Sequence, residues 1–330
     1  MEIGIKIDSA NTVICKKGVD VVLNEPSYIA FSHTVKGKIQ VLHVGNEAYN
    51  LQDKGIEDIT IAQPFLNGRV AHSELARLYI KNTLKKLQAT RTTHALFTIP
   101  CSLTNDELNT LKTAIYTGGI HEAIFVPTSV ACAVGMGFDP LAGDACLSVC
   151  LCEDGTEIAA IHGSSIVAGG TIKDGATSIT NIIKAEFRRR YSLDISIKEA
   201  RRVRIAVQSL LSNDTSQVVV KGNDVVSNFP REIVFKASEC FEIIKPVFIK
   251  IANAIKNVLA QIPYEVLQQI VLGNILISGE LSSVTGLLEF LTEQLQLQVV
   301  VSQATLNAQV QGIIRMLGNP DIARRVADSN

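Results

Sequence analysis

The chain has 330 residues, 47% of them hydrophobic and only 19% charged, with no tryptophan; that is enough apolar mass for one large or two medium folded domains. Lys and Arg (31) nearly balance Asp and Glu (32), so no global field argues for nucleic acid as a partner. The opening MEIGI lacks the charged and apolar regions of a signal peptide, and an odd number of cysteines, seven, argues against a disulfide framework; both features predict a cytoplasmic protein.

Ile3, Ile5 and Ile7 alternate, Asp8-Ser9-Ala10-Asn11 turns the chain, and 12–15 returns, which predicts a hairpin. Residues 19–31 continue it with Asn24-Glu25-Pro26 as punctuation, 39–44 read as a short strand, 45–53 as a short helix and 56–67 as extended. Leu75, Leu78, Tyr79 and Leu84 stand at helical spacing within 73–87, so the next core strand falls at 95–100. Thr104 and Glu107 form a capping box for a helix that ends at Gly118-Gly119, and strand 123–126 completes a β-α-β unit whose two strands are parallel neighbours. The charge-free stretch 123–138 carries Pro127, Gly135 and Gly137 and is too short to span a bilayer.

At mid-chain Leu147, Val149 and Leu151 alternate with Ser and Cys, Glu153-Asp154-Gly155 turns, and 158–161 returns as a second hairpin. Two hairpins half a chain apart predict a duplicated α/β core, two similar domains facing a cleft into which the hairpin turns point. Cys146, Cys150 and Cys152 would share one strand face; without ligand-spaced partners they read as small buried hydrophobes rather than a metal site. A strand at 166–172 and a helix at 178–190 follow, the latter ending in Arg188-Arg189-Arg190, and a helix at 196–211 carries Arg201, Arg202 and Arg204. These Arg runs read as solvated helix faces, with an anion or partner site as the alternative. Then come a meander at 217–226 and 232–235, a long helix at 236–261, a buried strand at 274–278, a helix at 286–295, a last strand at 299–301 and a closing helix at 305–317.

Ser9-Ala10-Asn11-Thr12 followed by Val21-Val22-Leu23-Asn24-Glu25-Pro26-Ser27 resembles the start of the bacterial actin MreB family, whose typical line reads IDLGTANT and then IVLNEPS at the same spacing. Val44-Gly45-Asn46-Glu47-Ala48 is similar to the family's VGEEA, 131–137 to its AAAIGAG, and Gly155-Thr156-Glu157-Ile158-Ala159 to its TTEIA. Gly169-Gly170, Arg190-Tyr191-Ser192-Leu193, Ser278-Gly279 and the helix with Gly312 follow in order, so the resemblance is collinear over nearly the whole chain. It implies an α/β, actin-like fold of the actin, Hsp70 and sugar-kinase superfamily, two domains with a duplicated core around a central cleft. Domain I would be 1–143 plus 313–330 with a small subdomain at about 32–73, and domain II 144–312 with one at about 184–240. It also implies ATP and Mg2+ held by the two turns, and head-to-tail filaments that guide cell-wall synthesis.

Residue by residue, the resemblance implies an altered site. In the family's first turn an Asp organises the hydrated Mg2+ and a Gly lets backbone N–H groups approach phosphate; those positions are Lys6 and Asp8, with Ser9, Ala10, Asn11 and Thr12 completing the turn. In the second turn, DIGGGTTE, the Asp and three glycines become Cys150, Cys152, Glu153 and Asp154, leaving Gly155, Thr156 and Glu157. The carboxylate that polarises water becomes Thr128, and the adenosine-side TGGG becomes Ser278-Gly279-Glu280-Leu281. The run 201–204 lies where the family has a Lys and a Glu flanking the base.

Five elements changed in one direction predict a pseudo-ATPase with no catalytic residue and no ATP or Mg2+ cofactor. Asp8 and Asp154 remain as metal-site candidates, and Lys6 is either turned to solvent or paired with Asp154 or Glu157. The expected function is a non-hydrolysing actin-like subunit for bacterial cell shape, self-associating into filaments or co-assembling with an MreB relative. The alternatives are an active ATP-dependent filament with Asp8, Asp154 and Glu157 at the metal, and a monomeric actin/Hsp70-like scaffold or chaperone. The basic, polar loop 85–93, KKLQATRTT, predicts no more than an electrostatic contact with the inner face of the membrane.

Overall fold

The computed structural model describes residues 2–52, 54–66, 68–88, 94–272, 275–302 and 308–329. Two compact units emerge: Met1–Asp144 with His162–Ile166 and Asn307–Asn330, and Ala145–Ile161 with Val167–Leu306.

In the first unit the alternating isoleucines place Glu2–Ile7 at the centre of a five-stranded sheet, ordered Glu122–Pro127, His94–Ile99, Glu2–Ile7, Asn11–Lys16, Asp20–Pro26. The hairpin partner is antiparallel, with Lys6 opposite Val13 and Ile7 opposite Thr12. On the other side His94–Ile99 and Glu122–Pro127 run parallel, as a β-α-β crossover requires. Ile3, Ile5, Ile14 and Phe97 of this sheet share a core with Leu75, Tyr79 and Ile80 of helix Ser73–Lys86 and Leu111 and Ile115 of helix Asn105–Gly118. The capping box of the latter helix forms as predicted, and Gly119, at φ 116°, ends it in a conformation that costs little only without a Cβ.

Helices Thr128–Gly135 and Ala308–Gly318 cross at glycine. A Cβ on Gly135 would lie 1.7 Å from the carbonyl oxygen of Ala308, and one on Gly312 1.8 Å from that of Ala131. A smaller sheet joins Ile29–His33 to Ile39–Val44 and Thr60–Ala62.

The second unit repeats the plan, in the strand order Ser165–Ile172, Thr156–His162, Ala145–Leu151, Ile275–Ser278, Val300–Val301. Again the first strand is central, the next two lie on one side and parallel crossover strands on the other. This is the predicted duplication of an α/β core. Helices Ala176–Tyr191, Ala237–Leu259 and Leu287–Leu295 supply the apolar faces that cover it. Pro246 sits inside the long helix, yet Ile243, Ile244, Val247, Phe248 and Ile251 stay buried around it. Burying that face outweighs the roughly 3 kcal/mol that an interior proline costs. A three-stranded sheet of Leu193–Asp194, Gln217–Asp224 and Pro230–Lys236 takes the place of the expected meander.

Among the described residues, helices Thr128–Gly135, Tyr264–Val271 and Pro320–Ser329 are additions to the sequence expectation. The last of these has a readable start, because Pro320 occupies the first helical position, where its missing N–H costs nothing. Residue 274 of the expected strand, 305–307 of the closing helix and 89–93 of the basic loop lie outside the described residues. No described helix is long and apolar enough to cross a membrane.

Candidate functional site

The first hairpin turn brings Lys6, Asp8, Ser9, Ala10, Asn11 and Thr12 together. Asp8 stands just past the strand end and folds its carboxylate back on the turn: Oδ1 accepts the backbone N–H groups of Ala10 (2.9 Å) and Asn11 (2.7 Å). Lys6 Nζ lies 2.6 Å from Oδ2 of the same carboxylate, a pair within the turn that the sequence expectation did not include. The carboxylate thus takes two backbone donors and one ammonium. Below it Tyr79 donates to Thr12 Oγ1 (2.7 Å), which contacts the Ser27 hydroxyl (2.9 Å), and Gln63 donates to the Ser9 carbonyl (2.6 Å). Burial pushes the Tyr79 phenol up to about 12, so this chain of hydroxyls stays neutral and structural.

In the second unit the turn after Ala145–Leu151 holds Glu153, Asp154 and Gly155, with Thr156 and Glu157 entering the return strand. Gly155 is required where it stands: a Cβ there would lie 2.6 Å from the carbonyl oxygen of Ile172. The turn is tied to the start of helix Ala176–Tyr191, since the N–H of Ala176 donates to the Cys152 carbonyl (3.1 Å) and that of Thr177 to the Glu153 carbonyl (2.8 Å). Glu153 Oε1 accepts the Thr177 hydroxyl at 3.0 Å. Its Oε2 faces Arg201 at 3.4 Å, and Arg201 also reaches Glu280 Oε1 at 3.7 Å.

Glu280 belongs to the loop after Ile275–Ser278, where Gly279 takes φ 100° and a Cβ would meet the Leu151 backbone at 2.5 Å. Glu280 is also bonded by Arg204, 3.1 Å away and fully buried. Arg204 completes its bonding with Thr180 Oγ1 (3.1 Å) and Gln208 Oε1 (3.0 Å). The structure therefore overturns the expected solvated Arg face at Arg204, which is fully buried against Glu280, whereas Arg201, 40% exposed, bridges Glu153 and Glu280 from the rim and Arg202, paired with Glu199 at 2.7 Å, lies at the surface as expected. The physical reason is helical spacing, because Ala200, Val203, Arg204 and Val207 share the buried stripe of helix Ile197–Val207.

Burial pushes the Glu153 carboxyl above its ordinary range; Arg201 opposes that rise and the neighbouring charge of Glu280 adds to it. With the folded value above the unfolded one, the contribution of Glu153 to stability is full below the unfolded carboxyl range and is lost as pH rises through the folded value. Ionised Glu153 is therefore held at a net cost at neutral pH. Glu153→Gln keeps an oxygen for Thr177 and is expected to raise the urea midpoint at about pH 7.5, an advantage that fades toward about pH 4. A midpoint difference independent of pH would contradict this assignment.

Thr128 opens helix Thr128–Gly135 and is buried. Its hydroxyl donates to the Ile99 carbonyl (3.2 Å), and Gln309 reaches it at 3.5 Å while donating to Thr98 at 2.7 Å. A hydroxyl in that setting offers no base at neutral pH. Cys146 and Cys150 are buried on their strand and Cys152 half-buried beyond it, all as free thiols. Among the described residues no three His, Cys, Asp or Glu side chains converge on a metal site.

A family model described as MreB/Mbl protein matches residues 1–325. The cell shape-determining protein Mbl of Bacillus subtilis (strain 168) is 28% identical over 325 residues, covering 97% of this chain and 96% of its own. The cell shape-determining protein MreB of Escherichia coli (strain K12) is 23% identical, over 94% and 91%. Among solved structures, MreB5 of Spiroplasma citri bound to ADP superposes with a TM-score of 0.89 at 22% identity over 98% of both chains. A MamK double helical filament follows with 0.80 at 15%, over 96% and 98%. These likenesses establish an actin-like fold.

Proposed function

The chain belongs to the MreB/Mbl protein family, and we propose that it is an actin-like cytoskeletal subunit for bacterial cell shape that assembles without hydrolysing ATP. The relatives named as cell shape-determining proteins and the filament formed by MamK support the cytoskeletal part. In this reading the domains divide as the resemblance implies, 1–143 with 313–330 and 144–312, a division supported by the compact units, in which Asn307–Asn330 belongs to the first. The subunit self-associates head to tail or co-assembles with an MreB relative, and a heterologous interface propagates because its rotation does not close. Turnover then follows concentration and partners. The protein works in the cytoplasm and makes a weak contact with the inner face of the membrane.

The lost hydrolysis rests above all on Asp8. In a phosphate-binding turn, backbone N–H groups wait for an external anion; here the Ala10 and Asn11 donors carry the Asp8 carboxylate, itself paired with Lys6. A phosphate arriving at that turn meets an anion already seated. Glu153 and Glu280 place two further carboxylates where the family has glycine, each bound to arginine of its own unit. The residues present do not suit Mg2+–ATP, and Thr128 supplies no general base.

MreB5 is known with ADP and with AMPPNP, so the decisive experiment is nucleotide titration. A ligand at a hundred times its dissociation constant stabilises by about 2.7 kcal/mol. The expected result is an unchanged Tm with millimolar ATP and Mg2+, and the same pelleting with and without nucleotide. A rise in Tm at micromolar ATP would return the chain to the ATP-driven filaments; a protein that stays monomeric at every concentration would make it a scaffold.

A further inference from the structure

The hairpin of Gln217–Asp224 and Pro230–Lys236 ends in a tip, 225–229, that shows its apolar side chains to solvent. Val226 is 89% exposed and Phe229 73%. The tip is built to hold that display. Asp224 Oδ1 accepts the N–H groups of Val226 (3.1 Å) and Ser227 (2.9 Å) and the Ser227 hydroxyl (3.1 Å). Arg231 joins Asp224 Oδ2 (3.3 Å) to the Tyr191 carbonyl (3.1 Å), and Asn228 takes the left-handed conformation at φ 57°.

At its base lies the end of helix Ala176–Tyr191. Leu193 pairs with Asp224, and the Val225 N–H donates to the Ser192 carbonyl at 2.9 Å, which brings the Arg188-Arg189-Arg190 run beside the tip. Arg188 and Arg189 are 65% and 66% exposed. Arg188 faces Asp194, while Arg189 and Arg190 face Glu186, all at the surface. Exposed pairs of this kind contribute little, so a guanidinium can exchange its carboxylate for a phosphate, whose geometry it matches in two places.

We propose that this tip is a lipid-contact device: Val226 and Phe229 enter the acyl boundary of an anionic bilayer while Arg188, Arg189 and Arg190 bind lipid phosphates. A convex apolar tip would need a shaped pocket in a protein partner, whereas a fluid bilayer admits it without one, and the adjoining cations fit the headgroup layer above. With a net charge of −1 the molecule as a whole has no pull toward anionic lipid, so the attraction is local to this patch. The inference rests on the membrane contact proposed above and on nothing said there about ATP or filaments.

The chain contains no tryptophan, so Phe229→Trp makes a single reporter at the tip. In the full-length protein its emission is expected to shift to the blue with vesicles of phosphatidylglycerol and phosphatidylcholine, and to stay put with phosphatidylcholine alone. In co-sedimentation with the same vesicles, Val226→Ser with Phe229→Ser should weaken binding about tenfold or more, and Arg188→Gln with Arg189→Gln should abolish the preference for anionic lipid. Unchanged binding by both double variants, with no blue shift, overturns the tip and leaves a membrane contact elsewhere. If the parent protein binds neither vesicle, both the site and the contact fall. Should the tip variant instead lose pelleting in the absence of vesicles, the tip serves contacts between copies and the lipid proposal is overturned.

Discussion

Arg204→Met is expected to destabilise the protein by about 3 to 5 kcal/mol, the usual consequence of removing one partner from a buried ion pair. Methionine fills most of the same volume, so the loss reports on charge and hydrogen bonding more than on a cavity. Glu280 keeps only the longer contact to Arg201 at 3.7 Å, and Gln208 and Thr180 lose the guanidinium that bonds them. The damage spreads because Glu280 and Glu153 share Arg201, so the loop after Ile275–Ser278 and the second hairpin turn depend on one set of charges. Replacing both members, Arg204→Met with Glu280→Gln, should recover about 2 kcal/mol, since neither then remains as an uncompensated charge. Urea melts of the parent, both single variants and the double variant supply the cycle. A single-variant loss below about 1 kcal/mol would show that the cluster is solvated and idle.

What the sequence made legible was local. The two hairpins, the parallel β-α-β unit and the Thr104 capping box depend on residues within a few positions of one another, and all three stand where period and capping chemistry put them. Their half-chain spacing gave the duplication as well. The charges at the turns were legible only as identities. That Asp8 closes on its own turn follows from an aspartate's habit of bonding N–H groups two and three residues on, and could have been read directly. Arg204 and Glu280 are 76 positions apart, and an arginine in a basic run reads as surface until its place on the stripe of Ala200, Val203 and Val207 is noticed. Helix Pro320–Ser329 escaped for a different reason: it is short and mostly polar, and Ala323 and Val326 are the residues it buries, so few apolar positions announce it.

Gly312→Val is expected to cost about 3 kcal/mol or more and to leave little soluble protein, because overpacking against backbone has no side chain to yield. A Cβ at Gly312 would meet the Ala131 carbonyl oxygen at 1.8 Å and its carbon at 2.7 Å, while one at Gly135 of the facing helix would meet the Ala308 oxygen at 1.7 Å. Two helices approach this closely only where both lack side chains, and neither backbone can shift alone, since Ala308–Gly318 also packs on the sheet, with Ile313 filling the space above Gly4. Separation of the pair would carry Gln309 away from Thr98 and Thr128, so hydrogen exchange at the start of helix Thr128–Gly135 should rise even in a milder Gly312→Ala variant. Gly318→Ala is the matched control: it lies in the same helix with nothing within 4 Å of its added Cβ, and is expected to be neutral or to gain about 0.5 to 1 kcal/mol. Equal Tm values for Gly312→Ala and Gly318→Ala would mean that the two helices can part without loss, and the close crossing would then have no part in holding Thr128 in place.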